Sequence, residues 1–163
     1  MEKSRTLKTG MKLSYKANFP FSKKQKSLHR YRAVIGIGGN VGDVKRRFDK
    51  LFNFLQKSIF VEVIATSPLL KNPPFGYLEQ EDFQNGIIEV ATSLHAQQFL
   101  YFLLRVEKKF GRKRSFADAP RTLDLDLLFF DYQTIQNRDL TLPHPHWRER
   151  QSVVIPLLHL GVL

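Results

Sequence analysis

The sequence contains no cysteine and no long hydrophobic run. Without cysteine the chain can form neither disulfides nor thiolate metal sites, which suits a reducing cytosol, so a cytoplasmic location is predicted. A membrane-spanning helix needs about 20 predominantly apolar residues, and no such run occurs, so a membrane partner is not expected. Internal repeats and low-complexity segments are also absent. The 163 residues suffice for one domain with a hydrophobic core.

Acidic residues are scarce at the start of the chain, so the net charge of +11 is unevenly distributed along the sequence. Residues 1–32 contain ten lysines and arginines and a single acidic residue, Glu2, whereas the rest of the chain contains 16 basic and 14 acidic residues. We interpret residues 1–32 as a basic, disordered extension and residues 33–163 as the domain. Lysines interrupt any apolar segment in the extension, so a secretory signal is not expected. The extension could contact acidic partners, act as a solubilising tail or reflect an upstream start, and its removal is expected to leave turnover unchanged.

Hydrophobic periodicity predicts a β-α-β-β-α-β order in the domain. Apolar or alternating segments predict strands at residues 33–38, 60–67, 85–93 and 123–131. Apolar residues at helical spacing predict helices at residues 44–60 and 95–110. Prolines, glycines and charges predict loops at residues 71–85, 111–121 and 137–150. The order is that of an α+β ferredoxin-like sandwich, an antiparallel sheet with helices packed on it, followed by a C-terminal appendage with a short apolar segment at 153–158.

The last predicted strand, in the stretch APRTLDLDLLFFD, carries two acidic residues among leucines and phenylalanines. Asp124 and Asp126 are two residues apart, so their side chains point to the same face of a strand. Their Cα atoms would be roughly 6.6 Å apart. At an effective dielectric constant of about 20 their repulsion costs roughly 2.5 kcal/mol. The pair could be solvated at a strand end without a function. Alternatively, a divalent cation such as Mg²⁺, which takes carboxylate oxygens as ligands, could offset the repulsion, with Arg121 nearby.

The predicted loops hold the other candidates for chemistry. Residues 111–121 are strongly basic, and cations beside two aspartates and a metal are typical of phosphoryl transfer, although a basic loop alone is more often only solvated. In LPHPHWRER, histidines and arginines could bind phosphate or stack on a base, Trp147 could equally be a packing residue, and zinc is disfavoured because further ligands are lacking. Phe75, Tyr77 and Phe83 could stack on a flat ring whose polar edge Asn85 could bind.

Taken together, these segments resemble the 6-hydroxymethyl-7,8-dihydropterin pyrophosphokinase family of folate biosynthesis. The resemblance covers about residues 33–160 and is carried by IGIGGNVGD, PPFGYLEQEDFQN, VEKKFGRKR, PRTLDLDLLFF, LPHPHWRER and VVIPLL, of which PRTLDLD is the most specific. It implies a Mg²⁺-dependent ATP:pterin diphosphokinase. Such an enzyme transfers pyrophosphate from ATP to the hydroxymethyl group of the dihydropterin and releases AMP. The resemblance also implies ATP and the pterin as partners. A monomer is predicted as well, and no nucleic acid is expected for the domain.

The resemblance assigns roles to individual residues. Asp124 and Asp126 would hold two Mg²⁺ ions around the triphosphate, and Arg112 and Arg121 would be catalytic. Glu107 falls at a family position near the nucleotide. The ATP-binding positions would be Arg112, Lys113, Arg114, Arg121, Leu127, Thr141, His144 and Arg150. The pterin-binding positions would be Asn72, Pro73, Phe75, Phe83 and Asn85. Many members have a tryptophan before the Pro-Arg pair, where this chain has Asp118 and Ala119, and Phe116 could supply that stacking face instead.

An RNA-binding module with the same fold and a basic arm is the alternative. Such modules stack bases on aromatic residues exposed on the sheet. The first and third predicted strands, AVIGIG and NGIIEVATS, contain no aromatic residue, and the last one would present carboxylates to a polyanion. The sequence therefore favours the enzyme.

Overall fold

The fold is described from a computed structural model for residues 2–74, 76–112 and 116–161. The strands are β1 (Lys3–Thr6), β2 (Lys12–Tyr15), β3 (Phe21–Ser22), β4 (Tyr31–Gly39), β5 (Val61–Thr66), β6 (Leu69–Asn72), β7 (Phe83–Thr92), β8 (Asp124–Phe130), β9 (Ile135–Gln136) and β10 (Thr141–Leu142). The helices are α1 (Val44–Lys57), α2 (Ala96–Lys109) and α3 (Gln151–Leu158), with a 3₁₀ turn at Trp147–Glu149.

The central strands form the predicted ferredoxin-like sheet. They lie side by side in the order β8, β4, β7 and β5, and each neighbouring pair is antiparallel. Each of α1 and α2 connects two of these strands, and Asp43 caps the start of α1 by accepting the backbone N–H of Arg46 over 3.1 Å. The predicted β-α-β-β-α-β order is therefore confirmed.

Helices α1 and α2 cover one face of the sheet and build the main core with it. They contribute Phe48, Leu51, Leu55, Phe99 and Leu103, which are spaced three or four residues apart within each helix and are buried against the alternate side chains of the strands. The opposite face is covered only in part. There α3 and the 3₁₀ turn pack on β7 and β8 around a smaller cluster. The short apolar segment predicted at residues 153–158 belongs to α3.

The loop predicted at residues 71–85 is shorter than expected. Ser67 and Pro68 interrupt the strand after β5, and the chain then continues along β7 as β6. Leu70 therefore lies opposite Asn85, and Asn72 lies opposite Phe83. Cross-strand pairing thus extends the regular backbone into both ends of the predicted loop, and residues 73–82 remain between the strands.

The N-terminal segment differs most from expectation. Residues 1–32 were predicted to be disordered, but β2 pairs with β6, β1 pairs with β2, and β3 pairs with β5. Leu13 and Phe19 are fully buried, and the ring of Phe19 contacts the rings of Phe48 and Phe52. A few apolar side chains therefore anchor a segment whose charged residues mostly face solvent, and the prediction of disorder is corrected. The division at residue 32 stays a prediction.

None of the helices in the described ranges is both long and apolar enough to cross a lipid bilayer.

Candidate active site

The face of the sheet that α1 and α2 leave open carries the two aspartates. Along β8, leucines buried against the helices alternate with Asp124 and Asp126, which project from the opposite face. The neighbouring strand β4 places Gly38 opposite Asp124 and Gly36 opposite Asp126. Because glycine has no side chain, the strand beside the carboxylates leaves room for a ligand on the sheet.

Asp124 is held by two arginines from the segment between α2 and β8. One of its carboxylate oxygens accepts a hydrogen bond from Nη1 of Arg112, and the other accepts one from Nη1 of Arg121 over 3.2 Å. Nη1 of Arg112 also donates to Oε2 of Glu107 over 2.7 Å, and the same oxygen accepts the backbone N–H of Leu125 over 2.9 Å. Glu107 on α2 therefore fixes both the start of β8 and the arginine that contacts Asp124.

The side chain of Arg112 is only 10% exposed. Burial lowers the pKa of a guanidinium because it disfavours the charged form. The nearby carboxylates of Asp124 and Glu107 outweigh this effect, so that the pKa of Arg112 is raised. The protein thus keeps a permanent positive charge at a partly desolvated position beside the aspartate pair.

The negative charge of Asp126 is compensated less completely than that of Asp124. Its Oδ2 lies 3.6 Å from Nη1 of Arg150, an ion pair beyond hydrogen-bond distance. Burial, and to a smaller extent the charge of Asp124, raise the pKa of Asp126 to about 6 against the opposing effect of Arg150. Its side chain is still 37% exposed, so its carboxylate can reach a ligand.

The aspartate pair suits a hard divalent cation. Magnesium takes oxygen ligands and is usually bound by one or two carboxylates together with water and phosphate oxygens. A cation between Asp124 and Asp126 would relieve the repulsion that contributes to the raised pKa of Asp126. In the described part of the chain, no group of three or more His, Cys, Asp or Glu side chains could hold a metal.

A cavity of about 280 Å³, here called the sheet cavity, lies over the open face. It brings together predicted residues from both ends of the domain, because β6, β7 and β8 and the start of α3 all reach this face. Its lining is Gly36, Ile37, Gly38, Asn72, Phe83, Asn85, Gly86, Asp118, Arg121, Asp124, Asp126, Glu149, Arg150, Ser152 and Val153.

A second cavity, of about 640 Å³ and here called the edge cavity, lies outside the exposed edge of β8. Helix α2 and the segment that contains β10 form its sides. Its lining is Leu100, Tyr101, Leu104, Glu107, Asp124, Leu125, Asp126, Leu127, Arg138, Asp139, Leu140, Thr141, His144 and Pro145. Asp124 and Asp126 line both cavities, and this shared part of the two linings is here called the wall.

His144 presents a neutral imidazole to the edge cavity. Its Nδ1 lies 3.3 Å from the backbone nitrogen of His146, which donates to it, so the ring proton is on Nε2. Burial, reinforced by the charge of Arg150 and by His146, lowers the pKa of His144. Near neutral pH the ring is therefore uncharged, and its Nε2–H can donate a hydrogen bond to a ligand.

Asn40, at the end of β4, joins the loops that flank the sheet cavity. Its Oδ1 accepts the backbone N–H of Arg121 over 2.8 Å, and its own backbone N–H donates to the carbonyl of Arg121 over 2.9 Å. Its Nδ2 donates to Oε1 of Gln80 and to the carbonyl of Glu81, each over 2.9 Å. Nε2 of Gln80 in turn donates to the carbonyl of Asp118 over 3.0 Å. The backbone position of Arg121 is thus fixed independently of its side chain.

Some predicted site residues lie outside the described residues, and two predicted stacking residues pack against other rings. Phe75, Lys113 and Arg114 are outside the described residues. Trp147 packs edge-on against Phe129 with the ring centroids 5.1 Å apart, which favours the packing alternative. Phe116, the candidate for a second stacking face, packs edge-on against Tyr77 with the ring centroids 5.5 Å apart.

Some cavity residues were not identified from the sequence. Asp118 and Glu149 line the sheet cavity, and Tyr101, Arg138 and Asp139 line the edge cavity. Glu149 lies within LPHPHWRER, and Asp118, Arg138 and Asp139 lie within the predicted loops, but no spacing distinguished them from their charged neighbours. The sequence weakly indicated Tyr101, because this aromatic residue lies off the apolar stripe of a predicted helix. It is exposed in the structure.

The fold and the site define an α+β protein in which two carboxylates, paired with arginines, line two neighbouring cavities. The model of the family described as 7,8-dihydro-6-hydroxymethylpterin-pyrophosphokinase matches residues 34–161, and the chain belongs to that family. Among curated proteins it is similar to the 2-amino-4-hydroxy-6-hydroxymethyldihydropteridine pyrophosphokinases of Campylobacter jejuni and Helicobacter pylori. The first is 43% identical over 139 residues (85% of this chain, 88% of the relative), and the second is 39% identical over 141 residues (85% and 86%).

A fungal relative shows the same similarity inside a longer protein. The folic acid synthesis protein fol1 of Pneumocystis carinii is 33% identical over 142 residues, which are 86% of this chain and 19% of that protein. These matches cover more of the chain than residues 33–163 could supply alone, so they include part of the first 32 residues. The similarity to relatives therefore begins earlier than the motifs of the sequence indicated.

Proposed function

We propose that this protein transfers the pyrophosphoryl group of ATP to the hydroxymethyl oxygen of 6-hydroxymethyl-7,8-dihydropterin in folate biosynthesis. The observation that carries the proposal is the position of Asp124 and Asp126 on the wall shared by the sheet cavity and the edge cavity. A pyrophosphoryl group that passes from a ligand in one cavity to a ligand in the other would be transferred beside these two carboxylates. Family membership supports the choice of substrates.

In this proposal ATP occupies the edge cavity. Leu127, Thr141 and His144 line it, and the Nε2–H of His144 can donate to an oxygen of the nucleotide. Asp124 and Asp126 would hold two Mg²⁺ ions, which when bound neutralise the charge of the triphosphate oxygens. The carboxylates also orient the arginines around them before any ligand arrives.

The arginines that pair with the two aspartates stabilise the charge that develops during transfer. Arg112 and Arg121 already donate to Asp124, and Arg150 lies beside Asp126. Fixed donors in a partly desolvated site are effective because they need no reorganisation when charge develops. Glu107 holds the side chain of Arg112, and Asn40 holds the backbone of Arg121, whose side chain donates to Asp124.

The dihydropterin occupies the sheet cavity over Gly38 of β4, next to Asn85. Phe83 can stack on its ring, and Asn85 can bind its polar edge. In the transfer, the hydroxymethyl oxygen forms a bond to the β-phosphorus of ATP and loses its proton. The bond from that phosphorus to the oxygen bridging to the α-phosphate breaks, and AMP leaves with that oxygen. Positioning and charge stabilisation supply most of the catalysis in such a reaction.

A product assay tests the proposal. Purified protein, Mg²⁺, ATP and the dihydropterin are incubated together, and the nucleotides are separated by chromatography. AMP is expected only when pterin and metal are both present, and chelation of the metal should abolish its formation. ADP in place of AMP would contradict pyrophosphoryl transfer and indicate an ordinary kinase.

The predictions of a cytoplasmic location, a monomeric state and no nucleic-acid partner have no direct support beyond the sequence and stay predictions. Light scattering coupled to gel filtration tests the monomeric state. Salt-dependent binding of the folded protein to RNA would contradict the prediction that it has no nucleic-acid partner.

A further inference from the structure

We infer that Asn72 is a positioning residue that fixes the orientation of the Asn85 carboxamide and thereby selects the edge of the heterocycle bound in the sheet cavity. The inference rests on the proposed function, because it concerns the pterin side of that site. Asn72 is buried, with only 3% of its surface exposed, and it lines the cavity beside Asn85.

The register of the sheet brings the two asparagines together. Asn72 lies opposite Phe83, and Asn85 lies opposite Leu70, so the asparagines are diagonal neighbours on adjacent strands with both side chains on the open face. The Nδ2 of Asn85 donates a hydrogen bond to the Oδ1 of Asn72. The Nδ2 of Asn72 donates in turn to the carbonyl oxygen of Pro73 over 3.2 Å.

This chain of hydrogen bonds has one direction only. A backbone carbonyl can accept but never donate, so Pro73 requires the nitrogen of the Asn72 carboxamide on its side. The oxygen of Asn72 then faces Asn85, which must offer its own nitrogen in return. A rotation of either carboxamide by half a turn would place two acceptors or two donors against each other and leave a buried polar group unsatisfied.

The oxygen of the Asn85 carboxamide lies towards the adjacent strand, β4. Its Oδ1 lies directly above Gly38, at 2.7 Å from the position that a Cβ atom there would occupy. Gly38 is paired with Asp124 across β4 and β8, so the oxygen lies on the side of the aspartate pair. Asn85 therefore offers the cavity an acceptor on the β4 side and its second N–H as a donor. A flat heterocycle with a complementary donor and acceptor on one edge fits this arrangement.

The experiment measures pterin binding in a double-mutant cycle of Asn72→Leu and Asn85→Ala. Asn72→Leu keeps the approximate size of the side chain and removes both hydrogen bonds. Binding of 6-hydroxymethyl-7,8-dihydropterin is measured by calorimetry in the presence of Mg²⁺ and a non-hydrolysable ATP analogue. Asn72→Leu alone should weaken pterin binding by about tenfold to a hundredfold, because each lost or mismatched hydrogen bond costs about 1–3 kcal/mol. In the Asn85→Ala background it should have almost no further effect.

Two further variants separate positioning from a general structural role. Asn72→Asp keeps an acceptor towards Asn85 but sets a second acceptor against the carbonyl of Pro73, so it should recover only part of the pterin affinity that Asn72→Leu loses. Gln84→Leu makes the same amide-to-leucine change at the neighbouring residue of β7, on the opposite face, and should leave pterin affinity within twofold. Affinity for the ATP analogue should stay unchanged in all of them. Additive losses in the cycle, or an equal loss in Gln84→Leu, would contradict the role of Asn72.

A readout that does not depend on turnover distinguishes this inference from the proposed function. In nuclear magnetic resonance spectra, one side-chain amide proton of Asn85 should be protected from exchange in the wild type and lose its protection in Asn72→Leu. An unchanged signal would overturn the role of Asn72, whatever the enzyme does. Absence of AMP formation by the wild type with a protected amide would instead contradict the proposed function alone.

Discussion

The two edges of the sheet both carry charge, but in different settings. At the β8 edge, Asp124 and Asp126 are partly buried, and they face arginines that carboxylates hold in place. At the opposite edge, every residue of β1 is exposed, and its Lys3 and Arg5 lie among solvated side chains. The net charge of +11 comes mostly from the solvated end of the chain. Burial and pairing, rather than the number of charges, therefore indicate where chemistry takes place.

The N-terminal edge nevertheless contributes to the site through its apolar residues. β2 pairs with β6, whose last residue, Asn72, lines the sheet cavity. Without β2, β6 would become an unprotected edge strand, and such edges are prone to fraying and to pairing with other chains. The two edges thus support the same function, one through charge and the other through packing.

The largest expected effect is that of removing residues 1–32, which should unfold the protein instead of leaving turnover unchanged. Loss of a buried phenylalanine such as Phe19 costs about 3–5 kcal/mol, and the whole stability of a domain is about 5–15 kcal/mol. The truncation also removes the buried Leu13 and the partners of β5 and β6. Circular dichroism during heating should show no cooperative transition. A truncated protein with normal turnover would restore the interpretation of residues 1–32 as a disordered extension.

The second largest effect is expected at the charged edge. Asp126→Asn removes a carboxylate from the wall and should lower kcat by about a thousandfold, the order found for loss of a transition-state charge contact. The fold should persist, since the substitution also removes the repulsion from Asp124. Turnover and the melting temperature are measured on the same sample, and pterin binding serves as the control. Near-normal turnover would contradict the assignment of the aspartate pair.

A smaller effect is expected between the two edges, at the floor of the sheet cavity. Gly38→Ala would place a Cβ atom 2.7 Å from Oδ1 of Asn85. Overpacking of this kind costs about 1–3 kcal/mol, so KM for the pterin should rise roughly tenfold to a hundredfold, with KM for ATP unchanged.

Gly36→Ala is the matched control for that variant. It lies two residues away on the same strand and face, and its Cβ would make only an ordinary contact of 3.5 Å with Leu128. Its KM for the pterin should stay within about threefold of the wild type. Equal effects of the two alanines would show that Asn85 is not involved.

The smallest effect is expected from deleting residues 2–6, which contain β1 but leave β2 in place. The deletion removes the ion pair of Glu2 with Lys45 and an edge strand without buried side chains. Surface ion pairs contribute about 0–1 kcal/mol, so the melting temperature should fall by no more than about 4 °C, with turnover unchanged. A loss of turnover would mean that the exposed edge itself takes part in the function.

Periodicity predicted the fold well where helices and strands have one buried face. The aspartates of β8 could be identified because two charges in an apolar strand need an explanation, and Arg112 and Arg121 because they cluster beside them. The N-terminal strands could not, because Leu13 and Phe19 are isolated among charged residues, and their burial depends on distant partners in α1 and β6. Helix α3 was not predicted as a helix, since its short apolar run contains Pro156 and shows no clear period.

The contact between Asn72 and Asn85 illustrates the same limit. The sequence named both residues as contributors to one pocket, but their mutual orientation follows from the register of β6 against β7 and from a single backbone carbonyl. Register on this scale depends on which strands pair, and no local pattern in the sequence contains that information.

The most direct test of the central claim follows the β-phosphorus of ATP. Wild-type protein is incubated with Mg²⁺, the dihydropterin and ATP labelled at the β-phosphate, and the products are separated and identified. The account predicts the label in a pterin diphosphate, with one unlabelled AMP formed for each. Label found in ADP or in free pyrophosphate would contradict transfer across the aspartate wall.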